Sequence, residues 1–189
     1  VKSYLKAMFV PRKFLARVAR SRAEDPATII FSSGSTGQPK GVVLSHRNII
    51  SNIESLRSVF RLYPNDNVVA VLPFFHAFGL TCSLWLPVVS SLSASYVPNP
   101  LDGVLVGEVA RRNGSTILFA APTFLSNYVR RTPADDFATL RSVIVGAEKL
   151  DANIADAFEA KFGVKPLEGY GMTEMSPVVS LNLPDEEKS

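Results

Sequence analysis

Hydrophobic positions along the 189-residue chain switch period repeatedly. Short apolar runs of strand length fall at 28–31, 42–44, 68–72, 93–97, 116–120, 140–145 and 164–168. Between most of them, apolar residues recur at three- and four-residue spacing, the pattern of amphipathic helices. In 46–61 the repeat is Ile49, Ile50, Ile53, Leu56, Val59 and Phe60, with Ser45 as N-cap. Further helices are predicted over 80–89, over 103–113 behind Asp102, from Pro122 to about Arg131, and from Asp151 to Phe162 with Gly163 as the stop. Strand and helix alternating in this way predict an α/β fold with a mainly parallel sheet and flanking helices. In such sheets ligands lie beyond the carboxyl ends of the strands. That rule singles out the loops after Leu72, Val145 and Glu168. The stretch 68–97 carries no formal charge and is long enough to span a bilayer. Pro73, Pro87, Gly79, His76 and five serines from Ser83 to Ser95 argue instead for a buried strand, a loop and a core helix.

The first two strands enclose an unusual connection. Ser32, Ser33, Gly34, Ser35, Thr36, Gly37 and Gln38 are small or turn-forming, and Pro39, Lys40 and Gly41 follow. Gly34 and Gly37 can take φ > 0 without steric cost, so successive N–H groups can converge on an anion as a nest. Ser32, Ser33, Ser35 and Thr36 add hydroxyl donors, and Lys40 adds a mobile positive charge. These are the parts of a phosphate cradle; a flexible Ser/Gly hairpin loop is the other reading. The order Lys40-Gly41 before a strand differs from the NTPase P-loop, which ends Gly-Lys-Ser/Thr and opens a helix.

Two later stretches carry candidate chemistry. Pro73 to Leu80 reads P-F-F-H-A-F-G-L and sets His76 among phenylalanines. Gly169 to Glu174 reads G-Y-G-M-T-E. Tyr170 offers a flat face for stacking on a base, and Gly171 lets the backbone turn beside a ligand. Thr173 offers a hydroxyl to a phosphate oxygen, and Glu174 a hard carboxylate to Mg²⁺.

S-S-G-S-T-G-Q-P-K-G-V, followed in order by these two stretches, closely resembles the signature of the adenylate-forming superfamily of acyl-CoA synthetases, luciferases and peptide-synthetase adenylation domains. The resemblance runs from about Ala27 to Val179. It implies ATP and Mg²⁺, with the Ser32–Lys40 loop on the β- and γ-phosphates, Thr173 on the α-phosphate and Glu174 on the metal. It further implies that Gly146, Ala147, Glu148 and Tyr170 serve the adenine, and that His76 faces the substrate carboxylate. Phe75 and Phe78 would wall an acyl pocket, and Gly79 would allow close approach to it. V-G-A-E-K-L, L-E-G-Y-G-M-T-E and S-P-V-V-S-L-N most resemble the long-chain fatty-acid ligases that load acyl carrier protein, with the acyl-CoA ligases close behind. The implied partners are a fatty acid and either acyl carrier protein or CoA. The family's ribose-binding Asp, hinge and C-terminal domain with its catalytic Lys have no counterpart in the sequence. The expectation is part of the large N-terminal domain, with little or no ligase activity by itself.

Composition narrows the alternatives. With 47% hydrophobic and 20% charged residues, the chain is a folded globular one. The single cysteine, Cys82, excludes an intramolecular disulfide and fits a reducing, cytoplasmic compartment. The chain opens Val-Lys-Ser without an initiator Met or an apolar leader, which predicts a piece cut from a longer protein. The net charge of +3 conceals an asymmetry: residues 1–23 hold seven bases and no acid, and the remainder is acidic. Nucleic-acid binding would want positive charge spread over a folded face with aromatics between, so none is expected. The basic arm, with Tyr4, Leu5, Met8, Phe9, Phe14, Leu15 and Val18 as its apolar side, reads as a linker helix or as a segment lying on an anionic membrane surface at the inner face of the cell membrane. The chain thus divides into an arm (1–26), a body (27–183) and a polar tail (184–189). A non-catalytic assembly module and an interfacial membrane-binding domain are the rival functions.

Overall fold

In a computed structural model, which describes residues 21–32 and 38–183, strand and helix alternate as the apolar pattern predicts. An antiparallel hairpin, β1 (Pro26–Ser32) and β2 (Lys40–Ser45), stands apart as its own two-stranded sheet. It leads into helix α1 (His46–Val59). The main sheet contains β3 (Asn67–Ala70), β4 (Ser93–Tyr96), β5 (Ile117–Ala120), β6 (Ser142–Val145), β7 (Pro166–Gly171) and β8 (Val178–Leu181). Its order is β4-β3-β5-β6-β7-β8, parallel throughout except for β8, which runs antiparallel to β7. Helices α2 (Leu86–Ser90), α3 (Gly103–Asn113), α4 (Pro122–Arg131) and α5 (Ala152–Phe162) supply the crossovers.

The central strands β3, β5 and β6 are buried at every position, as a parallel sheet covered on both faces requires. Their alternation builds two cores. Val68, Ala70, Ile117, Phe119, Ile144 and Leu167 face α1, the hairpin and the segment before α2. Val69, Leu118, Ala120, Val143 and Val145 face α3, α4 and α5. No helix among the described residues is long and apolar enough to cross a membrane.

The caps fall where expected: Ser45 closes a capping box with Asn48, Asp102 and Asp151 cap α3 and α5, and Gly163 ends α5 with φ +73°. Three details differ from the sequence-based expectation. Ile50 and Val59 are exposed, because the core meets α1 only along Ile49, Ile53 and Leu56. The helix expected over 80–89 begins as a π-helix, Gly79–Trp85. Pro87 has no N–H to give the preceding turn, and the Leu86 N–H reaches back to the Thr81 carbonyl. Gly169, Tyr170 and Gly171, expected in a loop, lie on strand β7 because the unanticipated β8 pairs with them.

Charge is buried at the amino edge of the sheet. Asp66, 2% exposed, accepts from the Tyr63 N–H (2.7 Å), from the Thr116 hydroxyl (2.7 Å), and from Nε and Nη2 of Arg141. The Arg141 guanidinium also lies 4.8 Å from the Tyr63 ring centre. Burial alone would raise the Asp66 carboxyl, but Arg141, the Tyr63 N–H and Thr116 outweigh it and hold the group below its ordinary value of 3.8. A carboxyl depressed on folding stabilises fully above its unfolded value, and that contribution fades as pH falls through the lower folded value. Asp66→Asn should therefore cost about 3 kcal/mol at neutral pH. Urea midpoints measured from pH 7 down to pH 3 should fall less steeply in the variant than in the wild type.

Candidate functional site

The carboxyl edge of the sheet gathers the residues singled out in sequence. Beyond β3, Phe74, Phe75 and His76 turn back so that the Leu80 N–H meets the His76 carbonyl at 2.9 Å. His76 Nδ1 accepts from the Phe78 N–H at 3.3 Å. Beyond β6, the Gly146 N–H is held by the Ala120 carbonyl at 3.1 Å, and Ala147 sits in the left-handed region with φ +74°. For a non-glycine residue this costs about 1 kcal/mol. The Glu148 carboxylate is tied to the Thr123 hydroxyl at 2.8 Å, so the backbone of 146–148 is the part left to meet a ligand. Beyond β7 comes the short 3₁₀ turn Thr173–Met175, with Glu174 exposed.

These loops enclose a cleft of about 150 Å³. Its mouth carries His76, Thr173 and the Gly169–Gly171 strand, and its depth Cys82, Phe78 and Phe119. On the other side of β7 lies an open groove of about 390 Å³, bordered by Glu148, Lys149, Glu168 and Ser180. Ala147, Gly169, Tyr170 and Gly171 line both hollows, so β7 is a thin wall between a cleft that is mostly apolar and a groove that is more polar. Tyr170 is 62% exposed, its ring available to a flat partner.

The hairpin closes the arrangement from one side. Ser32 and Lys40 are register partners at its open end, and β2 packs against the Thr173–Met175 turn. Ser33, Gly34, Ser35, Thr36 and Gly37 lie outside the described residues, as does most of the basic arm.

Two sequence-based assignments change. Phe75 is 81% exposed and does not line the cleft, because its chain reverses toward solvent; Phe78, buried against Phe119, does line it. Gly79 admits backbone, not ligand: a Cβ there would lie 2.1 Å from the Pro73 carbonyl oxygen. Gly171 likewise admits backbone, with the Pro177 carbonyl oxygen 2.5 Å from where its Cβ would be.

Sequence reasoning missed the groups that hold the turn. Asn52 donates to the carbonyls of Met175 (3.2 Å) and Val178 (2.8 Å), and its Oδ1 accepts from the Val178 N–H (3.3 Å). The buried Thr81 hydroxyl donates to the Ser176 carbonyl at 3.1 Å. The available signal was position: Asn52 is a polar residue beside Ile49, Ile53 and Leu56 on the apolar stripe of α1. Among the described residues no three His, Cys, Asp or Glu side chains cluster to hold a metal. Glu174 alone fits an ion such as Mg²⁺, which takes one or two carboxylates and completes its shell from phosphates and water.

Comparison with known proteins agrees with this geometry. A family model described as "AMP-binding enzyme" matches residues 4–189. The chain is 34% identical over 174 residues to 4-coumarate–CoA ligase 5 of Oryza sativa subsp. japonica, covering 88% of this chain and 32% of that protein. It is 30% identical over 158 residues to the p-hydroxybenzoic acid–AMP ligase FadD22 of Mycobacterium marinum, covering 82% of this chain and 22% of that one. The crystal structure of apo MatB from Rhodopseudomonas palustris superposes with a TM-score of 0.79 at 29% identity, over 89% of this chain and 33% of the other. The chain thus spans about a third or less of the length of these relatives. With its α/β body and mostly parallel sheet, it belongs to the AMP-binding enzyme family of adenylate-forming ligases.

Proposed function

We propose that residues 27–183 form part of the large domain of an AMP-forming acid–thiol ligase, and that they carry its nucleotide and acid sites. The observation that carries this reading is the β7 wall, with a polar groove on one side, an apolar cleft on the other and the Thr173–Glu174 turn at its end. In the first half-reaction a carboxylate oxygen attacks the α-phosphorus of ATP, the bond to the β-phosphate oxygen breaks, and pyrophosphate leaves. In the second, a thiol sulfur attacks the acyl carbon and AMP leaves with the electron pair. Catalysis of the first step is mainly positioning and charge neutralisation.

The groove holds the nucleotide. The base stacks on Tyr170 and meets the backbone of Gly146, Ala147 and Glu148. Ser32, Ser33, Gly34, Ser35, Thr36, Gly37 and Lys40 take the β- and γ-phosphates, and Thr173 the α-phosphate. When bound, Mg²⁺ neutralises phosphate charge, and Glu174 is the residue that holds it. The acid lies in the cleft with its carboxylate at the mouth beside His76 and its tail toward Phe78 and Phe119. The thiol is that of CoA, as the name of the rice relative supports, or of the phosphopantetheine on acyl carrier protein, as the motif wording supports. The motif wording also favours a long-chain fatty acid; the names of the coumarate and hydroxybenzoate ligases favour an aryl acid.

Calorimetry with ATP and Mg²⁺ tests the nucleotide site. Glu174→Ala and Lys40→Ala should each weaken binding about tenfold or more, the scale of a charged hydrogen bond. Chelating Mg²⁺ should erase the difference between wild type and Glu174→Ala. Equal affinity in all three proteins would overturn the assignment.

Asn52 enters this reading as a positioning residue, since it fixes the turn from outside the site. Asn52→Ala should speed amide exchange of Val178 by roughly fivefold, given about 1 kcal/mol for the hydrogen bond its N–H loses. ATP affinity should fall in parallel, with the melting temperature changing far less.

A further inference from the structure

The apolar cleft has a floor. Beyond it lies a second, almost wholly apolar hollow of about 10 Å³ beneath α1, walled by Phe60, Leu86 and Ile117, with Arg141 at its border. Leu56, Phe119 and Ile144 line both hollows. They come from α1, β5 and β6, belong to one core, and are 5%, 4% and 5% exposed. Phe119 is braced edge-on by Phe78, with ring centres 6.0 Å apart and planes at 82°. These three side chains are a partition between a cleft that opens to the polar mouth and a smaller hollow that lies beyond it.

We propose that the acid taken by this site has a compact, uncharged apolar tail, a single ring or a short chain, and that Leu56, Phe119 and Ile144 set its length limit. The proposal rests on the acid-activation reading above and names the substrate class for the same cleft. The cleft holds about 150 Å³, room for one benzene-sized guest, with Leu56, Phe78, Phe119 and Ile144 in the apolar part of its lining. A long alkyl chain needs the far hollow as well, and reaches it only if closely packed side chains give way, which protein cores resist. No Asp, Glu, Lys or Arg lines the cleft among the described residues. A second carboxylate on the tail would therefore be buried without a partner, at high cost. The polar groups all lie toward the mouth, so the single carboxylate stays there and the tail points at the floor.

The test reads acid binding without ATP, by NMR of the Leu56, Ile144 and Leu181 methyl groups in the whole chain. The probes are benzoate, hexanoate, hexadecanoate and butanedioate. Benzoate and hexanoate should shift these methyls, and hexadecanoate and butanedioate should not. In Leu56→Ala, and in the milder Phe119→Leu should the first fail to fold, decanoate should gain on hexanoate by roughly fourfold per methylene admitted. Hexadecanoate binding as tightly as benzoate, no acid binding at all, or a length preference unmoved in a folded variant would each overturn the proposal. The wild-type series decides it even if neither variant folds. ATP calorimetry on the same sample separates the two readings. Compact-acid selectivity without ATP binding removes the ligase and leaves the length limit; ATP binding with a long-acid preference does the reverse.

Discussion

The site depends on one close approach of backbone to backbone. Gly171 has no Cβ, and the Pro177 carbonyl oxygen occupies the space that a methyl group would need. The Met172 N–H donates to that same oxygen at 2.9 Å. The chain can therefore leave β7, make the Thr173–Met175 turn and return at once as β8. A side chain at Gly171 would push β8 away, and with it Pro177, Val178 and Leu181, which wall the cleft. The same contact sets Thr173 and Glu174 against strand β2. Asn52 and Thr81 reinforce it from the helical layer, satisfying carbonyls of the turn that would otherwise be short of donors.

The two edges of the sheet are built on opposite principles. At the amino edge, Asp66 and Arg141 are locked into a saturated network, and Asn67 accepts from Ser95 and Ser115 at 3.1 and 2.7 Å. These bonds join the strands β3, β4, β5 and β6 at that edge. At the carboxyl edge the reverse holds. Tyr170 and Glu174 are exposed, and the hydrogen bonds that shape the loops come largely from backbone. Donors and charges are left for something that arrives from solution. This division, with rigidity below and chemistry above, is what an α/β sheet with its ligands beyond the strand ends provides.

Much of the fold was legible in the sequence because its signals are local. Caps at Ser45, Asp102 and Asp151, the stop at Gly163 and the fully apolar central strands each follow from one or two residues. The site motifs were legible for the same reason, as short runs with their own chemistry. What escaped were features set by distant partners. Strand β8 exists because β7 offers it an edge, and neither Val178 nor Leu181 announces that alone. Gly79 looked like room for a ligand, but the space it leaves is taken by Pro73. Phe75 and Phe78, three residues apart, read alike in sequence; one faces water and the other the core, and only the reversal of the chain after β3 separates them. The floor of the cleft draws on α1, β5 and β6 at once, so no single stretch could reveal it.

The β1–β2 hairpin shares no ladder with the six-stranded sheet. Its base is stitched to the start of α1 by the His46 N–H to the Asp25 carbonyl (3.2 Å) and the Arg47 N–H to the Ala23 carbonyl (2.7 Å). Elsewhere it leans on side chains and on the Thr173–Met175 turn. No interstrand bond of the main sheet thus ties the hairpin to the body. What joins it to the body is therefore apolar packing together with the hydrogen bonds at its base, and the packing has no register to find.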